Sequence, residues 1–181
     1  MNICLYGASS PALDHAYFDA AEEFGRLLAQ HGHTLVYGGG AQGVMGAAAR
    51  GAADADGKIT GIAPNFLNVD GILFDRCTEF ILTDTMAERK TLMREGADAV
   101  VALPGGIGTL DEFIETMTLR KLERYMGELY VLNVKGFYEP FRQLLDYYVS
   151  TGMLDAESRA LVHFVPDAET LAGLLGRKEK I

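Results

Sequence analysis

Ala99-Val100-Val101-Ala102-Leu103-Pro104-Gly105-Gly106-Ile107-Gly108-Thr109-Leu110-Asp111-Glu112 is the stretch on which the reading of this chain turns. Its first five residues are apolar without alternation, the mark of a strand buried on both faces of a parallel sheet. Pro104 and the glycines stop that strand, and the chain restarts as a helix. Gly105, Gly106 and Gly108 leave backbone N–H groups free to converge at the helix head, where the macrodipole adds partial positive charge and can hold an anion. The same residues also fit a plain tight connection, with Thr109 as N-cap and Glu112 closing a capping box. The stretch alone leaves both readings open.

Outward from it, apolar runs alternate with amphipathic segments. Strands are predicted at 2–6, 34–37, 58–63, 79–82 and 129–134, with a last one at Phe164-Val165. Helices are predicted over 14–30, from the glycines after Tyr37 to Ala55, from Thr85 to Glu95, and over 138–150, 155–161 and 167–175. Thr83-Asp84-Thr85 with Glu88 offers N-cap and capping-box chemistry, and Gly152 stops the helix before it. His31 and His33 read as cations at a helix C-terminus rather than metal ligands. The helix after Gly108 should bury Leu110, Phe113, Ile114 and Met117 and turn Glu112 and Glu115 away, and the 138–150 helix should bury Phe141, Leu144, Leu145 and Tyr148. The Ala-rich run 45–49 has little side-chain bulk, so that helix can lie close to the sheet or to another helix. The alternation predicts an α/β fold, a three-layer, Rossmann-like, doubly wound parallel sheet in one domain over 1–181. Ligands of such sheets sit at the carboxyl ends of strands, so the loops at Gly7, Gly38–Gly40 and Gly105–Thr109 should converge.

With 181 residues and 49% hydrophobic content, the chain can bury a sizeable core. Its 25 acidic against 16 basic side chains give a formal charge of -9, which argues against nucleic acid or an anionic membrane as partner. Two cysteines, Cys4 and Cys77, suggest neither a disulfide framework nor zinc spacing, and no apolar run is long enough to span a membrane. A cytoplasmic protein is expected. On a helical wheel Arg89 and Lys90 share a side with Met86, Met93 and Ala97. Two cations on an apolar stripe can snorkel to water or serve a buried anion. The charged end, Arg177 to Lys180, reads as solvated.

Pro104-Gly105-Gly106-Ile107-Gly108-Thr109-Leu110-Asp111-Glu112 resembles the PGGxGTxxE signature of the LOG (LONELY GUY) family, and Met86-Ala87-Glu88-Arg89-Lys90 resembles its M-x-x-R-K element. Tyr37-Gly38-Gly39-Gly40-Ala41-Gln42-Gly43-Val44-Met45-Gly46 is similar to its YGGGxxGLMG, and Leu132 to Tyr138 to its LNVxGYY. The four stand in the family's order. The family has often been labelled lysine decarboxylase, but no motif places a lysine to form a cofactor Schiff base.

The resemblance implies hydrolysis of the N-glycosidic bond of nucleoside 5'-monophosphates, AMP or cytokinin riboside 5'-monophosphates, without cofactor or metal. It implies catalytic roles for Arg89 and Glu112. Phosphate and ribose would be held by Ser9, Gly39, Gly40, Gly43, Gly105, Gly106, Gly108 and Thr109, with Met86, Lys90, Glu115 and Thr118 completing substrate binding. A homodimer is implied as well, with the outward side of the Glu112 helix completing a neighbouring site. Ala87 and Leu119-Arg120-Lys121 depart from the plant pattern at positions expected near the base. A carrier of the related molybdenum-cofactor type, using the same glycine cradle without bond cleavage, is the alternative.

Overall fold

The apolar runs become interior strands because every other residue must face a different helical layer. In the computed structural model, which describes residues 1–177, seven strands form one sheet: β1 (Asn2–Tyr6), β2 (Thr34–Tyr37), β3 (Lys58–Pro64), β4 (Glu79–Thr83), β5 (Ala99–Ala102), β6 (Glu128–Leu132) and β7 (Val162–Val165). Their order is β4-β3-β2-β1-β5-β6-β7, and every pairing is parallel. The helices are α1 (His15–Gln30), α2 (Gly43–Asp54), α3 (Met86–Arg94), α4 (Ile107–Lys121), α5 (Glu139–Ser150), α6 (Ala156–Ala160) and α7 (Ala168–Arg177).

Alternation along β1 divides the interior in two. Ile3 and Leu5 pack with Phe24 and Leu28 of α1, Val44 and Ala48 of α2, and Leu171 and Leu175 of α7. Cys4 and Tyr6 point the other way, toward Met93 of α3, Phe113 and Met117 of α4, and Phe141 and Leu145 of α5. These are the three layers predicted from the sequence. The bulk-free α2 packs on the sheet and also lies unusually close to α1. A β-carbon at Gly25 would come within 1.9 Å of the Ala48 carbonyl oxygen, and one at Gly51 within 1.9 Å of that of Glu22. This close approach of α1 and α2 fixes the loop that leads into α2.

The helix ends follow local chemistry. Asp14 caps α1 by accepting from Ala16 N–H. Thr85 Oγ1 accepts from Glu88 N–H while the Glu88 carboxylate accepts from Asp84 N–H, a capping box one residue wide of the standard pattern. Four local expectations are corrected. α4 starts two residues before Thr109, with Gly106 as its N-cap, so Thr109 is the third helical residue and is buried. Ile114 is exposed, and α4 buries Thr109, Phe113, Thr116 and Met117 instead, because the small polar Thr116 takes the inward side, its Oγ1 3.2 Å from Tyr6 Oη. Leu144 and Tyr148 are likewise exposed, and Phe141 and Leu145 alone carry the buried face of α5. His31 Nδ1 donates to the Leu27 carbonyl at the end of α1, whereas His33 lies beyond the helix, buried and stacked on the His31 ring.

Among the described residues, no helix is long and apolar enough to cross a membrane, and no three His, Cys, Asp or Glu side chains cluster to hold a metal ion. Both thiols are free, with Cys4 buried. Of the charged segment expected to be a solvated tail, residues 178–180 lie outside the described residues.

Candidate active site

β1 and β5 are neighbours, yet the chain leaves β1 toward β2 and leaves β5 toward β6, on opposite sides. A crevice must open at their carboxyl ends. It is walled by the loops after Tyr6 and after Leu103, which are stitched together: Leu103 N–H donates to Tyr6 O at 2.8 Å and Ala8 N–H to Pro104 O at 3.2 Å. The head of α2 closes the third side. Gly43, at a φ of +68°, sits where a β-carbon would come within 2.3 Å of Ala8 O.

The crevice has two lobes, of about 360 and 330 Å³, which share Ser9, Met45 and Arg89. The first is lined by Gly106, Gly108 and Thr109 at the head of α4, together with Met86, Asp111 and Glu112. The second runs under Gly38, Gly40 and Gln42 and is covered by Leu67, Ile72 and Leu73 of the β3–β4 connection. A larger cavity of about 610 Å³ lies at the amino end of β5, lined by Arg94, Asp98, Leu119 and Tyr125. It is lined by the tails of α3 and α4 and the turns at Gly96 and Gly127, with no helix head, so size does not identify the site here.

Gly105 has an internal reason to be glycine, since a β-carbon there would meet Thr109 Oγ1 at 2.1 Å. Gly106 and Gly108 have none: a β-carbon at either would find no protein atom within 4 Å. The space beside them is open cleft at a helix N-terminus, where unpaired N–H groups and the dipole favour an anion.

Beside that cradle lies a buried ion pair. Arg89 is 7% exposed. Its Nε donates to Ile62 O at 3.1 Å and its Nη1 to Glu112 Oε1 at 2.5 Å, while its Nη2 occupies the space a β-carbon on Gly38 would need. The guanidinium thus ties the ends of β2 and β3 to α4. Burial pushes the Glu112 carboxyl above the usual carboxylate range, and the Arg89 charge and hydrogen bond offset this only in part. A carboxyl whose proton affinity is raised by burial while it stays paired to a cation, at the wall of an open cleft, is suited to exchanging protons with a substrate.

Of the residues singled out in the sequence, Ser9, Gly40, Met86, Arg89, Gly106, Gly108, Thr109 and Glu112 meet on this cleft. Gly39, Gly43 and Gly105 shape its loops from behind. Lys90, Glu115 and Thr118 line neither lobe. Lys90 pairs with Asp111 at 3.1 Å and Glu115 at 2.5 Å, Glu115 also pairs with Arg94, and Thr118 donates to Ile114 O. Glu115 holds the Lys90 ammonium above its ordinary range, the opposite of the lowered value a Schiff-base lysine needs. Neither Ala87 nor Leu119 to Lys121 borders the two lobes; the latter sit at the far end of α4. Sequence reasoning missed Gln42; it placed the irregular stretch Pro64 to Arg76 beside the site without singling out Leu67, Ile72 and Leu73, which line the second lobe. Gln42 stood in plain view inside the glycine motif, while the 64–76 stretch has no periodicity to read.

Comparison with known proteins agrees with this geometry. The family model described as possible lysine decarboxylase matches residues 45–175. The cytokinin riboside 5'-monophosphate phosphoribohydrolase LOG of Oryza sativa subsp. japonica is 37% identical over 93% of this chain and 70% of its own length. LOG2 of Arabidopsis thaliana, of the same name, is 35% identical over 96% and 81%. The molybdenum cofactor carrier protein of Chlamydomonas reinhardtii superposes with a TM-score of 0.74, covering 97% of this chain and 96% of that one at 23% identity, which establishes a common fold alone. On its motifs, its family match and these curated relatives, the chain belongs to the LOG family.

Proposed function

We propose that the protein hydrolyses the N-glycosidic bond of a nucleoside 5'-monophosphate, AMP or a cytokinin riboside 5'-monophosphate, releasing the free base and ribose 5-phosphate. The observation that carries this reading is the pair of open glycines, Gly106 and Gly108, beside the buried Arg89–Glu112 pair. The names of the curated relatives support it. The phosphate lies on the head of α4, which brings the ribose beneath Glu112 and leaves the second lobe for the base.

Loss of the base gives C1' oxocarbenium character. Glu112, ionised, stabilises that charge and takes a proton from the water that adds its hydroxide to C1'; the base takes one proton from solvent as the C1'–N bond breaks, and Glu112 then returns its own to solvent, so that one water is consumed in all. Arg89 keeps the carboxylate aimed and its hydrogen bonding fixed. Free base is followed by chromatography during incubation with AMP, GMP, CMP, UMP and isopentenyladenosine monophosphate. Base release that falls at least ~100-fold in Glu112→Gln, the scale of losing a main acid-base group, supports the reading. Tight binding without release in the unsubstituted protein favours the carrier alternative.

We further propose a homodimer formed through the outward face of α4, where Ile107, Ile114 and Leu122 are exposed at helical spacing. Its signature is a dimer mass by light scattering that Ile114→Glu reduces to a monomer. Two free thiols, one fully buried, support placing the protein in a reducing cytoplasm.

A further inference from the structure

The geometry points to Gln42 as the residue that reads the base, accepting from the amino group on C6 of adenine through Oε1 and donating to N7 through Nε2. This rests on the phosphoribohydrolase reading for which end of the ligand occupies which lobe. With the phosphate on the head of α4 and the sugar beneath Glu112, the base enters the second lobe, joined to the first through Ser9, Met45 and Arg89.

That lobe is poor in hydrogen-bonding side chains. Leu67, Ile72, Leu73 and Met45 offer apolar surface, and Gly38 and Gly40 offer backbone. Arg89 is committed to Ile62 O and Glu112, and Ser9 stands at the junction with the first lobe, a single hydroxyl on the phosphate side. Gln42 is the one amide in the lobe. It is the N-cap residue of α2, a place where Ser, Thr, Asp or Asn would accept from the helix N–H groups, yet its side chain makes no capping hydrogen bond and is exposed to the lobe. Its amide is uncommitted and carries a donor and an acceptor side by side. Adenine presents the complementary pair at C6 and N7, whereas hypoxanthine and guanine present two acceptors there, one of which opposes Oε1.

Binding of AMP and IMP is measured by calorimetry on Glu112→Gln protein, so that no ligand is consumed, with and without Gln42→Leu. The expected result is a preference for AMP of about tenfold, the size of one good paired contact, which Gln42→Leu reduces to within about twofold by weakening AMP alone. Gln42→Ala is the second variant and gives the same loss. An AMP-to-IMP ratio unchanged in both variants overturns the inference, as does the absence of AMP binding. Base release from AMP and from isopentenyladenosine monophosphate by the Glu112 protein is followed in parallel: its absence from both refutes the hydrolase reading, and its presence with an unchanged ratio refutes only the role of Gln42.

Discussion

Gly108→Ala should make the protein more stable and a worse enzyme. Gly108 is the second residue of α4, outside the left-handed region, and a β-carbon there meets no protein atom within 4 Å. Nothing in the fold opposes a methyl group, and alanine removes the backbone entropy that glycine loses on entering a helix. The gain is about 0.5 to 1 kcal/mol, which for a chain of this length raises Tm by about 1 to 4 °C. The methyl group, however, projects into the first lobe, where the phosphate would approach the N–H groups. Loss of one hydrogen bond to a charged group costs about 1.5 to 3 kcal/mol, a rise in the KM for AMP of about 10- to 150-fold. Thermal unfolding followed by circular dichroism and initial-rate kinetics on one preparation decide it. A variant with raised Tm and unchanged KM would refute the cradle, whatever else the enzyme does.

Because burial raises the Glu112 carboxyl, and the reaction needs it ionised, the acid limb of kcat/KM should lie above the ordinary value of 4.5 and vanish from the residual rate of Glu112→Gln. Arg89→Lys keeps a charge but cannot serve Ile62 O and Glu112 together, so kcat should fall at least ~100-fold with the fold intact by circular dichroism. Lys90 and Arg94 hold Glu115 below its usual range, so its contribution to stability is present above about pH 4.5 and is lost as pH falls through the lowered value. Glu115→Gln should therefore cost less than about 1 kcal/mol at neutral pH, given its partial exposure, with the difference closing in urea titrations as pH falls through the lowered value. Gly51→Ala, whose methyl meets Glu22 O at 1.9 Å, should lower stability by about 1 to 3 kcal/mol by forcing α1 and α2 apart.

The layer architecture was legible because unbroken apolar runs such as Ala99 to Leu103 have few other uses, and alternation with amphipathic segments then restricts the topology. Helix phase was less legible. Thr109 has a good capping side chain, but the chain had already turned helical at Ile107, and Thr116, polar yet buried against Tyr6, took the inward side that the apolar pattern assigned to Ile114. The glycine cradle and the Arg89–Glu112 pair could be anticipated as candidates, though only coordinates separate Gly105, which is glycine for Thr109, from Gly106 and Gly108, which are glycine for nothing in the chain. Lys90 illustrates the opposite failure: one residue from Arg89 in sequence, it turns 100° on the helix and meets Asp111 and Glu115 instead of the cleft. The covering residues Leu67, Ile72 and Leu73 were illegible because an irregular connection is placed by what it packs on.

The neighbouring position of β1 and β5 has a kinetic meaning as well. Asn2 N–H bonds to the Asp98 carboxylate across 96 residues of chain, and Cys4 pairs with Val100 in the central ladder. Both walls of the crevice therefore come into being only when a very long loop closes, the slowest class of contact for a folding chain. The half-sheet β1 to β4 can collapse earlier with its own core against α1 and α2, but it holds no cradle and no Glu112. Regained turnover during refolding should lag the recovery of helix signal, and a ribosome-bound chain is inert until α4 has emerged and docked.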